Sequence, residues 1–365
     1  MLESIFYIIA AIQIMYYGIL FSRIFSYKRS PKLANNPGFP VSVIICAHNE
    51  SHHLRNYLPL ILQQDYPEFE VVLVNDASTD NSDEVLITLK NTYPNLRIVT
   101  ITPEEKTVKG KKQALEKGIQ LARYEHLLLT DADCFPASLH WIKNIVAHFS
   151  DRHHLILGVA PYTDSGSFLQ KVVAYETTMT AIQYISFAFW KIPYMGVGRN
   201  MAYTRTLFNK TGGMQKHRDI LSGDDDLFVQ EAVYQTDTSV CLEPESYIYS
   251  APPATWKAWW RQKTRHYTTG ARYNILHQLL LGLFLVTKVT FYLLLSFLVT
   301  KDCKISYALV YLLILSVNSF FLLFMKIKFE IKAAWYMSFL LDPIYALMVV
   351  IQSTFSNIKN ISHWK

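Results

Sequence analysis

Asp131 and Asp133 flank one alanine at the end of an apolar run, "HLLLTDADCF". Two carboxylates at that spacing have two uses. Either they cap the helical pattern that follows, "PASLHWIKNIVAHF", with Pro136 near its first turn, or they hold a divalent cation against a diphosphate. A second acidic cluster, Asp224, Asp225 and Asp226 in "SGDDDLFVQEAV", also precedes an apolar helical pattern. Each of its carboxylates can favour the positive end of a helix by about 0.3–1 kcal/mol. Crowding three of them costs repulsion, and the same repulsion raises a carboxylate pKa toward the range where it accepts a proton from a hydroxyl. A third stretch, "WKAWWRQKTRHYTTGARY", sets tryptophans beside basic residues, as an amphipathic anchor at a membrane surface does.

The elements that must position these residues alternate. "VSVIICAH" (41–48), "EVVLVND" (70–76), "LRIVTI" and "HLLLTDAD" have strand character, and helical patterns lie between them. A β-α-β-α-β-α-β order predicts a mainly parallel sheet with helices on both faces. Such sheets bind ligands at the carboxyl ends of their strands, near a switch in strand order. His48, Asp76 and the Asp131–Asp133 pair all fall at such ends. A carboxylate at the second end can accept an N–H from a base and a ring at the first can stack on it, so these ends together predict a nucleotide-diphosphate site. Taken singly, Asp76 also suits a turn or cap, His48 a loop and Lys111 a solvated face.

The chain has 365 residues and is 51% hydrophobic, with a mean hydropathy of +0.13. The excess is concentrated in Ile5–Phe21, Leu276–Val299, Ile305–Met325 and Trp335–Phe355, each near the roughly 20 residues a spanning helix needs. Arg23, Lys28, Arg29 and Lys32 follow the first run, which reads as an uncleaved anchor. Lys326, Lys328 and Lys332 separate the last two. Both basic clusters are expected in the cytosol, which places residues 28–275 there and both termini outside if all four runs span. The net charge of +6 is then largely a topology signal, and no basic stripe with stacking aromatics points to nucleic acid. Cys46, Cys134, Cys241 and Cys303 are isolated and lack zinc spacing.

The motifs "VSVIICAHNE", "VLVNDASTD", "GKKQAL", "LLLTDADCF", "GVGRNMAYTR", "SGDDDLF" and "RQKTRHY" occur in the order seen in membrane-bound family 2 glycosyltransferases. That superfamily includes the cellulose, chitin, hyaluronan and poly-N-acetylglucosamine synthases, and the resemblance covers residues of about 40–270. It implies a GT-A nucleotide-sugar fold, an inverting transfer and Mg²⁺ or Mn²⁺. By the same resemblance His48, Glu50, Asp76, Lys111 and Asp131 are donor-binding positions and Asp133 is the metal ligand. Asp225 matches the general base, with Asp224 or Asp226 as the one-residue alternatives. Gly198, Arg199 and Asn200 match the acceptor-side loop. Gln262 and Arg265 match a Q-x-x-R motif whose arginine grips the departing diphosphate. The family usually continues with tryptophan, and His266 stands there instead, on the acceptor side.

The expected architecture is therefore a transmembrane anchor over 1–27, a cytosolic GT-A domain over 28–250, an interfacial segment over 251–275 and a C-terminal region of about three helices over 276–365. The expected activity is transfer from a nucleotide sugar, UDP-linked, to a membrane-associated lipid or glycan acceptor, in a multi-pass protein of the cell membrane. A processive polysaccharide synthase shares every motif. A non-catalytic nucleotide-binding receptor has no need of the "SGDDDLF" cluster. Two charges lie inside the apolar runs, Lys288 and Asp342. With both runs crossing from cytosol to outside, Lys288 lies roughly 18 Å beyond Leu276 and Asp342 roughly 10 Å beyond Trp335, so that either the two pair or each reaches its own interface or faces a wet acceptor groove opened by a kink at Pro343.

Overall fold

The computed structural model describes residues 1–28, 38–164 and 166–358; Arg29 and Lys32 of the first basic cluster lie outside the described residues. The chain opens with α1 (Leu2–Met15), prolonged by tight and wide helical turns to Ser26. It then builds β1 (Val41–Ala47), α2 (Ser51–Leu62), β2 (Phe69–Asp76), α3 (Ser82–Thr92), β3 (Leu96–Ile101), α4 (Lys112–Leu121), β4 (His126–Asp131), β5 (Cys134–Pro136), α5 (Trp141–Val146) and β6 (His153–Leu157). After α6 (Phe168–Phe189) come β7 (Met201–Thr204), α7 (Arg205–Lys210), α8 (Asp226–Ala232), β8 (Asp237–Val240) and β9 (Ile248–Ser250). The last helices are α9 (Trp256–Tyr267), α10 (Ile275–Lys301), α11 (Ile305–Phe329) and α12 (Ser338–Ile358).

These elements form two compact units. One holds Lys28–Thr163, Lys191–Ala251 and Ile361–Lys365; the other holds Met1–Tyr27, Asp164–Trp190 and Pro252–Asn360. The first is built on a seven-stranded sheet in the order β3-β2-β1-β4-β7-β6-β8. Its β1, β2, β3 and β4 are parallel neighbours, and β7 runs antiparallel between β4 and β6. All seven residues of β1 are buried, as expected of a strand covered on both faces. From β1 the order runs outward to β2 on one side and β4 on the other. The carboxyl ends there, where the order switches, carry the residues singled out from the sequence.

The four early strands bear out the alternating pattern, with one correction. β4 stops at Asp131, and Cys134–Pro136 forms a short strand that pairs antiparallel with β9. Pro136 is therefore in a strand, and the expected helix begins only at Trp141. A proline lacking its N–H is tolerated in so short an edge strand. The carboxylates of Asp131 and Asp133 consequently lie in a turn between strands and do not cap a helix.

The second unit contains four helices long and apolar enough to cross a membrane: Leu2–Ser26, Ile275–Lys301, Ile305–Phe329 and Trp335–Phe355. It also contains α6, which the sequence reading placed inside an uninterrupted 28–250 domain. Sixteen of the 22 residues of α6 are buried, which fits a helix apolar on every side and enclosed by others. The Lys288–Asp342 pair forms, at 2.5 Å and 2% side-chain exposure on each partner.

Candidate active site

At the end of β1 the chain turns through Asn49, and after β2 through Ala77, both with positive φ (57° and 53°). The two turns are laced together. Asn49 donates its backbone N–H to Ser78 Oγ at 2.9 Å and accepts the Thr79 N–H at 2.8 Å. His48 Nδ1 lies 2.6 Å from the Asp76 carbonyl oxygen. The Asp76 carboxylate is 1% exposed. Its Oδ2 accepts from Lys106, whose ammonium also donates to the Gly110 carbonyl at 2.6 Å. Its Oδ1 is buried and accepts no hydrogen bond among the described residues. A buried carboxylate oxygen left in that state costs about 1–3 kcal/mol or more, and a ligand N–H would relieve the cost. Glu50 is buried and faces His53 Nδ1 at 2.5 Å, which ties it to the first turn of α2.

Lys111 joins the two acidic clusters. Its Nζ is 3.1 Å from Asp131 and 2.8 Å from Asp224. Burial works against the ammonium, but Asp131, Asp224 and Asp225 more than offset it and hold the Lys111 pKa above its usual range. Burial also pushes Asp224 upward, and Lys111 reverses that, so Asp224 is held low and ionised. Asp225 has no such partner. Burial, then the charges of Asp224 and Asp226, push it up to about 7. Its Oδ2 accepts the Gly198 N–H at 3.0 Å and its Oδ1 the Asp226 N–H at 2.9 Å. A Cβ at residue 198 would stand 3.3 Å from that carboxylate and 3.5 Å from Lys111 Nζ, so glycine allows the close approach.

Lys112, next in sequence, points away from the acids. Its buried Nζ donates to the carbonyls of His217, Ile220 and Ser222 at 2.5, 2.7 and 2.6 Å. This one ammonium gathers the loop that delivers Asp224–Asp226. The sequence reading missed both Lys106 and Lys112.

Asn200, expected on the acceptor side, is fully buried. Its Oδ1 accepts from Trp141 Nε1 at 3.0 Å, and its Nδ2 donates to the carbonyls of Val159 and Ser246 at 2.8 and 2.9 Å. The neighbouring Gly158 makes room, since a Cβ there would lie 2.6 Å from the Asn200 amide. Asn200 thus braces the loop that carries Gly198. Arg199 is half-buried over the Tyr162 ring at 4.6 Å, donating to Ser250 Oγ and to the Ala160 carbonyl at 3.0 Å.

Asp133 lies beside Asp131, and one oxygen of each carboxylate with Cys134 Sγ falls within 4.8 Å of one another. Burial, then the Asp131 charge, raise the Asp133 pKa. Two half-exposed carboxylates that repel one another fit a hard divalent cation, which is satisfied by oxygen ligands.

Gln262, Arg265 and His266 lie on α9, in the unit of apolar helices. Thr255 caps that helix by accepting the Ala258 N–H at 3.2 Å. Lys263 forms a buried pair with Glu176 of α6 at 2.6 Å, and Trp259 is buried beside it. Gln262 Oε1 is buried with no hydrogen-bond partner among the described residues.

A mainly parallel sheet with carboxylates gathered at its switch point is the arrangement of an α/β protein that binds a ligand at its strand ends. The family description "Glycosyltransferase like family 2" matches residues 37–269, and the chain belongs to that family. It is 28% identical over 256 residues to the probable glycosyltransferase YdaM of Bacillus subtilis (strain 168), across 65% of this chain and 56% of that protein. The match therefore spans little more than half of that relative. It is 23% identical over 350 residues to the poly-beta-1,6-N-acetyl-D-glucosamine synthase of Staphylococcus epidermidis, across 92% of this chain and 79% of that one. Among solved structures it resembles the mannosyltransferase PcManGT from Pyrobaculum calidifontis in complex with GDP-Man and Mn²⁺. That likeness has a TM-score of 0.62 at 17% identity and covers 97% and 99% of the two chains, and it concerns the fold alone. The chain is a glycosyltransferase with a GT-A-like sheet, as the motif order implied.

Proposed function

We propose that this glycosyltransferase performs an inverting transfer from a UDP-linked sugar to a lipid or glycan acceptor at the membrane. The observation that carries this reading is the division of labour among adjacent carboxylates: Asp224 ionised against Lys111, and Asp225 raised to about 7 and partly exposed. A general base works best with a pKa near the operating pH. In this reading Asp225 takes the proton of an acceptor hydroxyl as the oxygen attacks the anomeric carbon from the face opposite the diphosphate.

The base is read by Asp76 and Lys106. Asp76 Oδ1 is an acceptor awaiting an N–H, and the Lys106 ammonium beside it is a donor. A ring N–H next to a carbonyl occurs in uracil and guanine, whereas adenine has no carbonyl and the cytosine ring nitrogen beside its carbonyl is an acceptor. Guanine offers two adjacent N–H groups that would suit both oxygens of a carboxylate, but Oδ2 is occupied by Lys106. Uracil, with one N–H, fits the single oxygen.

Asp133, with Asp131, would hold Mg²⁺ or Mn²⁺, which when bound supplies positive charge to the leaving diphosphate. The staphylococcal relative, aligned over 92% of this chain, favours N-acetylglucosamine as the sugar and a glycan product as the second reading. The test is a nucleotide-sugar hydrolysis screen of the purified protein, followed by mass spectrometry of lipid and glycan extracts for the acceptor. Turnover of UDP-sugars that is lost in Asp225→Asn is expected. Turnover confined to GDP-sugars would sink the base assignment, and full activity in Asp225→Asn would sink the mechanism.

A further inference from the structure

We infer that α12 does not cross the membrane: with the extended stretch before it, it forms a re-entrant hairpin that enters and leaves on one side, so the chain crosses three times. The inference stands apart from the proposed activity. It begins with the relative levels of the apolar helices, which their contacts fix. At one end Glu3 of α1 meets Lys304. Phe6 stacks on Phe291 at 5.2 Å, Gln13 donates to Thr287 at 2.7 Å, Tyr17 donates to Asn318 at 3.2 Å, and at the other end Tyr27 packs on Phe329 at 5.5 Å. So α1 and α11 run parallel, α10 runs antiparallel to both, and the Lys304 end is opposite the Phe329 end.

A crossing α12 would start at the level of Phe329 and climb to that of Lys304. It does the reverse. The Tyr311 hydroxyl donates to the Phe339 carbonyl at 3.4 Å, and Tyr311 lies about 27 Å along α11 from Phe329 at 1.5 Å per residue. Three residues on, Asp342 meets Lys288 in the middle of α10. Phe355 then packs against Trp260 at 6.1 Å, and Trp260 belongs to α9, which leads into the first turn of α10. From its first residues to its last, α12 descends toward the end where α10 begins and α11 finishes.

The turn that makes this possible is explicit. Glu330 takes the left-handed conformation (φ 56°), its N–H returns to the Met325 carbonyl in a six-to-one bond, and the Ile331 N–H reaches the same carbonyl at 3.3 Å, which stops the helix. Phe329, Ile331 and Ala333 are then buried while Glu330 and Lys332 are exposed, the alternation of an extended chain lying on a surface. Residues 330–334 can reach about 17 Å if extended, the 3₁₀ turn Trp335–Met337 adds about 6 Å, and the Tyr311 side chain reaches down to meet the Phe339 carbonyl. Non-helical backbone at membrane depth is tolerated where it is packed against protein. Beside the first turns of α12 lies a cavity of about 400 Å³, lined by Pro343, by Leu295, Val299 and Thr300 of α10 and by Tyr311 of α11. The charges agree, since Lys326 and Lys328 precede the hairpin, Lys332 stands at its foot, and Lys359 and Lys365 follow it, as expected if both flanks share a side.

Sidedness tests this whatever the absolute orientation. Cys303, in the loop between α10 and α11, is exposed, and the other three cysteines are buried. A membrane-impermeant maleimide applied to intact cells and to inside-out vesicles should label Cys303 from one face. In a Cys303→Ser background, Lys332→Cys and Ser362→Cys should both be labelled from the other face. Labelling of Ser362→Cys from the face of Cys303 would mean that α12 crosses and would overturn the inference. Independently, the pair Trp260→Cys and Phe355→Cys should be joined by a flexible bis-maleimide in membranes, whose arm spans the space the two rings leave, and absence of that cross-link would count equally against the hairpin.

Discussion

The Gly198 N–H donates to Asp225 Oδ2 at 3.0 Å, so a carboxylate crowded by two others is aimed by backbone alone. Charge from Asp224 and Asp226, added to burial, brings it to about 7. As a base Asp225 must be ionised, so kcat/KM should fall about tenfold per pH unit below 7 and level off above it. Asp225→Asn should keep donor binding and lower turnover by roughly 10²–10⁴. The same shift has the opposite sign for stability. The native state takes up a proton that the unfolded chain, with an ordinary value of about 3.9, releases, so this contribution is full below about 4 and is lost as pH rises through 7. Denaturant melts from pH 4 to 8 should show that slope diminished in Asp225→Asn.

Lys106→Met should raise the KM for UDP-sugars more than it lowers kcat, because the group reads the base and is remote from the reacting carbon. It also releases Asp76 Oδ2. With both oxygens available the variant should gain relative affinity for guanosine diphosphate, measured by competition against uridine diphosphate. Unchanged selectivity would reduce Lys106 to a structural partner of Asp76.

Lys111 and Lys112 are adjacent, and about 100° of helical rotation sends one to the acids and the other to a loop. Lys111→Met should abolish turnover and also lower the melting temperature, more at neutral than at acid pH, since it strands the carboxylates of Asp131 and Asp224 that share the cation. Lys112→Met strips the donor from three carbonyls. At about 1–3 kcal/mol for a group left unsatisfied, it should lower the melting temperature by several degrees as well as the activity. Thermal melts at neutral and acid pH and turnover of the two variants side by side separate the roles.

How far this site could be read from the sequence follows from the same residues. Asp76 and Asp131 were legible because buried parallel strands read as continuous apolar runs, and ligands gather at their carboxyl ends. Asp224–Asp226 were legible because like charges at adjacent positions ask for a reason. Lys106 was not, because a lone lysine in a polar loop looks like any solvated charge until the fold brings it to Asp76. Pro136 misled because proline suits the first turn of a helix as well as a short edge strand. For α6 the signal was present and overlooked: "VVAYETTMTAIQYISFAF" has no polar face, the mark of an enclosed helix. The direction of α12 was out of reach, since apolar length does not reveal whether a helix crosses or turns back.

Asp133→Ala should leave the sheet intact, because Asp133 sits in a turn, and should remove binding of Mn²⁺ as followed by its paramagnetic resonance. Nucleoside diphosphate binding should then lose its dependence on the metal. Mn²⁺ bound by Asp133→Ala as tightly as by the parent would exclude the Asp131–Asp133 pair as its site.

Lys288 and Asp342 are unequal partners, and that sets the last prediction. Asp342 Oδ1 accepts from Lys288 at 2.5 Å and from Tyr175 at 2.6 Å, and its Oδ2 accepts from Tyr292 at 2.6 Å. Tyr175 is in turn braced by Asn318 at 2.6 Å. Without Lys288 the carboxylate keeps two hydroxyl donors. Without Asp342 the ammonium keeps one hydroxyl, that of Tyr17 at 3.4 Å, and the faces of Phe284, Tyr17 and Tyr345 at 5.1, 5.8 and 5.9 Å, among the described residues. Removing one partner of a buried pair commonly costs about 3–5 kcal/mol, so both single variants should lose stability in detergent, Asp342→Leu more than Lys288→Met. Replacing both with apolar groups of similar size removes the stranded charge, and the double variant should recover much of the loss. Additive losses in that cycle would show that the two charges do not stabilise each other. A larger loss for Lys288→Met would show that the tyrosine hydroxyls do not hold the carboxylate alone.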